Sequence, residues 1–258
     1  MVEIHPTAVV SPKAKLGKNV KIGPYSVIHD NVVIGDGTDI GAHVLIDQHT
    51  TIGKDNRIFT GAVVGSESQD RKFTGEESYV EIGDGNTFRE YVTINRATEP
   101  GGTTKIGSHN HILAYCHVAH DCILGSHITI SNVTTLAGHV EVEDYAGIGG
   151  YVGVHQFVKI GRLSYIGGWS KVVKDVPPFV RVSGSPLRVY GLNSVGLERR
   201  GVSSESRKAL RKAYTLLFRS DHNVSQAVAA MQETLGEDDQ VQELVDFVDR
   251  SERGITRN

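Results

Sequence analysis

Residues 10–64, VSPKAKLGKNVKIGPYSVIHDNVVIGDGTDIGAHVLIDQHTTIGKDNRIFTGAVV, place an apolar residue at every sixth position: Val10, Leu16, Ile22, Ile28, Ile34, Ile40, Ile46, Ile52, Ile58 and Val64. The register returns at Ile82, Phe88 and Ile94, then runs in steps of six from Ile106 to Val172. Between positions 10 and 172 only Asp70, Glu76 and Pro100 on that register are not apolar. A helix repeats at 3.6 residues and a strand at two, so a sustained six belongs to neither alone. It predicts a parallel β-helix, in which short strands meet at corners and each hexad aims one aliphatic residue at the axis. Glycine follows many of these residues, among them Gly17, Gly35, Gly107, Gly125 and Gly161. Without a Cβ, it suits the turned backbone of a corner.

The rest of the chain fits a thin solenoid with an appendage. With one residue in six facing inward, a hydrophobic content of 39% over 258 residues suffices. The formal net charge of -3 predicts no general attraction to nucleic acid or membrane. Met1–His5 lacks the basic and apolar regions of a signal peptide, and no apolar run is long enough to span a bilayer. The two cysteines, Cys116 and Cys122, lie six residues apart and so on successive faces, which disfavours a disulfide. These features together predict a cytoplasmic protein. Two polar stretches, Ser66–Tyr79 and Asn95–Lys105, interrupt the repeat without losing register and must loop outward. Such insertions gather on one face of a repeat array, where they are either a binding face or tolerated surface. After Val172 comes a connector rich in proline and glycine, and from about Ser203 the apolar spacing turns helical. Three helices are expected: one capped by Ser203 or Ser204, one over Val224–Leu235 ending at Gly236, and one through Val241–Val248 ending near Gly254. The expected domains are a β-helix over 1–188 and a helical domain over 189–258. Residues 199–219 hold seven basic residues against the one carboxylate of Glu205, either a solvated face or the seat of an anionic partner.

Candidate chemistry lies in His117-Val118-Ala119-His120-Asp121. If three hexads close one triangular coil, residues 18 apart stack directly. His117, His120, His139 and His155 then share a strip five residues wide across three coils, on the order of 10 Å tall. Val118 fixes the strand register, so its neighbours cannot all face the axis. Asp121 could orient the His120 ring or balance its charge. Catalysis or ligand binding is one reading, chance placement of solvated histidines the other. A metal site built from Cys116, His117, His120 and Cys122 is a further alternative, although one tightly wound coil spreads these ligands around a corner.

The segments IHPTAVV, SQDRKF, HVAHDC, TLAGHV, GVHQF, DVPPFV and GLNSVGLERRG occur in this order. Through them nearly the whole chain resembles the acyl-[acyl-carrier-protein]–UDP-N-acetylglucosamine O-acyltransferases of lipid A biosynthesis. The resemblance implies a homotrimer of left-handed β-helices with active sites between neighbouring subunits. It implies transfer of a 3-hydroxyacyl chain from acyl carrier protein to the glucosamine 3-hydroxyl of UDP-N-acetylglucosamine. No cofactor or metal is implied, because the donor brings its own phosphopantetheine. By the same likeness His120 is the general base, Asp121 its orienting partner, and the Gly138 N–H the oxyanion donor. Asp70, Lys72, His117, His139, His155 and Gln156 would contact the sugar, pyrophosphate or acyl hydroxyl. Asn193, Arg199 and Arg200 would form the nucleotide end. Gly168, with Tyr165 and Trp169 beside it, would measure the acyl chain, and Arg207, Lys208, Arg211 and Lys212 would meet the acidic carrier protein. One departure is Val195, where the family pattern often has an acidic residue; it bears on uracil recognition. Two other functions fit the residues: a non-catalytic solenoid that binds a sugar nucleotide, and a small-acyl transferase using coenzyme A.

Overall fold

The structure is a computed structural model that describes residues 1–257. Two-residue strands recur along the chain and pair in parallel with strands one coil away. His111–Ile112 pairs with Thr129–Ile130, and Thr129–Ile130 with Gly147–Ile148, so three hexads make one turn of a left-handed β-helix. Three sheets form the faces of the prism, with eleven, nine and eight strands among the described residues. Face A contains His111–Ile112, face B contains His117–Val118, and face C contains Ile123–Leu124.

The hexad register fills the axis from Ile22 onward, where its members are at most 4% exposed; Val10 and Leu16, at the open N-terminal end, are half-buried. Burying each such side chain contributes on the order of 1.5–3 kcal/mol. The interior is wider than one residue in six, however. From Val20 onward the position two before each aliphatic is also buried, and it holds valines such as Val20, Val32 and Val140 together with Ile128 and a set of small or polar side chains. The polar ones close hydrogen bonds that the corner backbone leaves open. Ser26 Oγ donates to the Gly41 carbonyl at 2.7 Å, and Thr134 Oγ1 to that of Gly149 at 2.7 Å. Asn86 Nδ2 donates to Gly107 and Asn110 Nδ2 to Gly125. Cys116 and Cys122 occupy the same column, their thiols directed at the carbonyls of Ser131 and Ala137. Both are free and buried.

The glycines after the aliphatics do a different job from the one their sequence position suggests. Except for Gly65, they are not the residues with positive φ. A Cβ on Gly35 would lie 2.5 Å from the Gly53 carbonyl carbon, and one on Gly107 2.5 Å from the Gly125 oxygen. Glycine is required there because the next coil passes too close for a side chain. The left-handed residue sits two positions later and is usually not glycine: Asn31, His43, Tyr115, Asp121, Val133, His139 and Phe157 all have φ between 55° and 63°. Each costs about 1–2 kcal/mol in backbone strain. Stacking between coils offsets part of it, as in Tyr91 on Tyr115 (5.1 Å), His127 on Tyr145 (4.8 Å) and Tyr151 on Trp169 (4.3 Å).

Strand Val180–Ser183 continues face A and turns back antiparallel into Arg188–Leu192. The boundary expected between residues 188 and 189 therefore falls inside that strand, and helix begins only after Asn193. A short helix that the periodicity does not show, α1 (Ser194–Arg199), comes first. α2 (Ser204–Phe218) is capped by Ser203, which accepts from the Ser206 N–H, and α3 (Val224–Leu235) by a reciprocal Asn223/Gln226 box. α4 (Asp239–Asp249) stops at Arg250 rather than near Gly254. Leu210, Leu217, Met231, Leu244 and Phe247 form the helical core. The bundle is tied back to the solenoid by Arg162, which donates to both Glu243 oxygens at 2.7 Å.

Candidate active site

Both inserted stretches leave from one edge of the prism. Ser66–Tyr79 joins a face B strand to a face C strand, and so does the segment from Asn95 to Thr103. His120 and Asp121 turn the same B-to-C edge between His117–Val118 and Ile123–Leu124, and His139 and Phe157 turn it in the next two coils. The loops thus fold over the histidines that the repeat stacks beneath them.

His120 is held from two sides. Its Nδ1 lies 2.8 Å from Asp121 Oδ2 and 3.0 Å from Thr98 Oγ1. Asp121 in turn accepts from the Thr98 backbone N–H at 3.1 Å, and its own N–H donates to Thr104 Oγ1 at 2.8 Å. The side chains of His120 and Asp121 are 13% and 14% exposed, so the pair is sheltered yet reachable. A carboxylate only accepts, which places the ring proton on Nδ1 and leaves the Nε2 lone pair open. The ring lies against Gly138: a Cβ there would meet its Cε1 first and come within 2.6 Å of Nε2. Among the described residues the Gly138 N–H has no acceptor in the protein. The His120 ring and an amide N–H with no acceptor among the described residues therefore belong to neighbouring coils at this edge.

His139 stands edge-on to His120 with ring centroids 5.3 Å apart, lies 3.7 Å from Asp121 Oδ2 through Nε2, and stacks on Phe157 at 4.5 Å. His117 points outward from face B with Nδ1 2.7 Å from Thr93 Oγ1; burial first, then the nearby His120, push its pKa down. Asp70 is drawn below the usual carboxylate range, first by the Lys72 N–H it accepts (3.0 Å), with the charges of His120, Lys72 and His139 adding to this. The Asp70 N–H donates to Ser68 Oγ (3.2 Å), which bonds Thr98 beside His120, so Asp70 sits at the histidine edge. Lys72, His155 and Gln156 are exposed on the same edge.

The remaining expected residues lie elsewhere on the same chain. Asn193 Oδ1 caps α1 by accepting from the Gly196 N–H (3.1 Å), while its Nδ2 donates to the Leu163 carbonyl (2.9 Å). Arg199 and Arg200 are exposed, and the Arg200 guanidinium lies 4.3 Å over the Tyr145 ring at the C-to-A edge. Gly168 and Trp169 turn the A-to-B edge beside the face A residue Tyr165, all three exposed. One chain therefore spreads the expected site over three edges. Arg207 is half-buried near Glu198 (3.9 Å), whereas Lys208, Arg211 and Lys212 are exposed on α2.

For a metal, the cysteines are unsuitable. Burial pushes the Cys122 thiol up to about 12 and raises Cys116 as well, so both stay protonated near neutral pH. The ligand atoms of His120, Asp121 and His139 lie within 4.8 Å of one another. In that trio the Asp121 carboxylate is already occupied by the His120 ring and the Thr98 N–H.

Ser68, Thr93, Arg96 and Thr98 were not legible as site residues. Arg96 is 3% exposed, donates to the Gly65 carbonyl (3.3 Å), reaches Glu67 (3.4 Å) and lies over Phe73 (5.2 Å), binding the two loops together. Their signal is the phase of the insertions: with the inserted lengths removed, both leave from the corner that carries His120.

Residues 175–256 match the family model described as UDP N-acetylglucosamine O-acyltransferase, domain 2, and residues 13–48 match the bacterial transferase hexapeptide model of six repeats. An acyl-[acyl-carrier-protein]–UDP-N-acetylglucosamine O-acyltransferase of Halorhodospira halophila is 49% identical over 258 residues, and one of Paracidovorax citrulli 51% over 262, each covering all of both chains. The solved UDP-N-acetylglucosamine acyltransferase of Bacteroides fragilis superposes with a TM-score of 0.96 at 41% identity, covering 98% of this chain and 99% of that one. The Arabidopsis enzyme gives 0.87 at 34%, with coverage of 98% and 99%. Fold and relatives together define a hexapeptide-repeat acyltransferase. The chain belongs to the acyl-[acyl-carrier-protein]–UDP-N-acetylglucosamine O-acyltransferase family.

Proposed function

We propose that the protein transfers a 3-hydroxyacyl chain from the thioester of acyl carrier protein to the glucosamine 3-hydroxyl of UDP-N-acetylglucosamine, the first step of lipid A biosynthesis. The relatives' shared name supports the substrates. The observation that carries the mechanism is the His120 ring, held by Asp121 through Nδ1 and packed against Gly138, whose N–H has no acceptor among the described residues. An alcohol needs a proton acceptor that is neutral near pH 7, and imidazole is one. His120 Nε2 takes the hydroxyl proton as the oxygen attacks the thioester carbonyl carbon. The resulting oxyanion accepts from the Gly138 N–H, a contact that strengthens as the charge develops. The C–S bond then breaks, and the imidazolium returns its proton to the departing thiolate. The thioester is already activated, so no enzyme nucleophile and no bound cofactor are required; the phosphopantetheine arrives on the donor.

Asp70, Lys72, His117, His139, His155 and Gln156 line the sugar and acyl-hydroxyl side of this reading. Arg199 and Arg200 take the nucleotide end, where a guanidinium pairs bidentately with phosphate oxygens. Asn193 supports them by capping α1, the helix that ends at Arg199. Tyr165, Gly168 and Trp169 bound the acyl chain, and Lys208, Arg211 and Lys212, with Arg207, receive the acidic carrier protein. The site is completed in a homotrimer, because one chain places these groups on different edges. No described helix is long and apolar enough to cross a membrane, and a water-borne carrier protein and sugar nucleotide fit a cytoplasmic enzyme.

The test is product mass from wild type and His120→Ala, with 3-hydroxyacyl carrier proteins of several chain lengths and UDP-N-acetylglucosamine. Acylated sugar nucleotide from the wild type, lost by at least about a hundredfold in a folded variant, is expected. Equal product from both would remove His120 as the base, and product from neither would remove the reaction.

A further inference from the structure

We infer that Thr98, on the second inserted loop, is a positioning residue that gives the Nδ1–H of His120 a second acceptor and links the ring through Ser68 to the first loop. The inference rests on His120 acting as the base.

The hydrogen bonds around Nδ1 leave one consistent assignment. The Asp121 carboxylate can only accept, so Nδ1 carries the proton. Thr98 Oγ1, 3.0 Å from Nδ1, then cannot donate to it and becomes a second acceptor for the same proton. Its own hydrogen must go elsewhere, and Ser68 Oγ lies 2.8 Å away. Ser68 Oγ also accepts from the Asp70 N–H at 3.2 Å. The carboxylate fixes the first step, His120 to Thr98, and between Thr98 and Ser68 either hydroxyl can donate. Thr98 and Ser68 are 5% and 8% exposed, so water does not compete freely for these bonds. The Thr98 backbone N–H meanwhile holds Asp121 Oδ2, so one residue grips both members of the pair.

Thr98 thereby acts twice on the ring. Beside Asp121, which disfavours the tautomer with hydrogen on Nε2, it holds the ring in place by accepting from Nδ1–H. It also favours the imidazolium, because Nδ1–H is a stronger donor when the ring is charged. The charged and titratable groups around the ring are Asp121, His139, His117 and, from the first loop, Asp70. A change at Thr98 removes none of them.

Thr98→Val keeps the shape and the backbone N–H but removes the hydroxyl. It should lower kcat roughly ten- to a hundredfold, the worth of one hydrogen bond to a charged group, with KM for both substrates within about twofold. Since the imidazolium loses support, the acid limb of kcat/KM should move to lower pH. Thr98→Ser should restore rate and profile. Ser68→Ala, which removes the hydroxyl that pairs with Thr98, should shift the profile in the same direction by less. A Thr98→Val enzyme with wild-type kcat and profile, a loss confined to KM, or a Thr98→Ser enzyme no better than Thr98→Val would each overturn the inference. If Thr98→Val does not fold, an unchanged profile in Ser68→Ala overturns it instead. His120→Ala measured alongside separates the two readings. Full activity there removes the base itself, whereas an inactive His120→Ala beside a fully active Thr98→Val removes only the role of Thr98.

Discussion

His117 shows how one buried ring ties stability to pH. It packs under Thr93 at the rim of the histidine edge, and burial followed by the nearby His120 lowers its pKa in the folded chain. An unfolded histidine titrates near 6.5. Below that value the unfolded chain takes up a proton that folded His117 refuses, so the folded state loses stability as pH falls through about 6.5 and keeps it above. His117→Gln, which retains a polar partner for Thr93, should narrow the difference in urea midpoint between pH 7.5 and pH 5.5. A difference as large as in the wild type would show that His117 is not a source of the slope. If His120 takes up a proton as proposed, the same downward shift at His117 spares it a second positive charge nearby.

The corner is the element that separates what the sequence makes plain from what it hides. The hexad register and the two outward loops are readable because burial at the axis demands aliphatic residues at fixed intervals. The role of the following glycines is not readable, since close passage of the next coil and a positive φ both call for glycine, and only coordinates tell them apart. The second buried column was hidden because it mixes Val20, Val32, Ile128 and Val140 with Ser26, Asn86, Asn110, Thr134 and the two cysteines, which have no common polarity; only the polar members reach a corner carbonyl. Helix α1 escaped notice because six residues show too little period. The histidine group was legible from the 18-residue stacking, but Thr98 was not, because its bond to His120 crosses from an insertion whose path the repeat does not set. The corner also yields a prediction. Val133 is β-branched, has φ of 63° and is 38% exposed. Asparagine tolerates that region far better. Val133→Asn should stabilise the fold by about 1 kcal/mol, read as a higher denaturant midpoint at unchanged slope. A lower midpoint would mean that the exposed valine packs against something more valuable than the strain it carries.

At the scale of the whole molecule, the prism separates groups that the proposed reaction must bring together. His120, Asp121 and Gly138 lie on the B-to-C edge, whereas Arg200 rests on Tyr145 at the C-to-A edge of the same chain. A rigid stack of parallel coils cannot fold one edge onto another, so a sugar nucleotide touching both groups must lie between two chains. Closed rotational symmetry then gives each chain one base and one arginine pair, used in different sites. This arrangement predicts complementation. His120→Ala and Arg200→Glu should each be nearly inactive alone. Unfolded together in equal amounts and refolded, they should regain about a quarter of wild-type activity, because a random site has that chance of drawing both intact groups from neighbouring chains. Were both groups supplied by one chain, every chain in the mixture would still carry a damaged site, and no activity would return. The regained fraction thus reads out whether the base and the nucleotide end belong to one subunit or two.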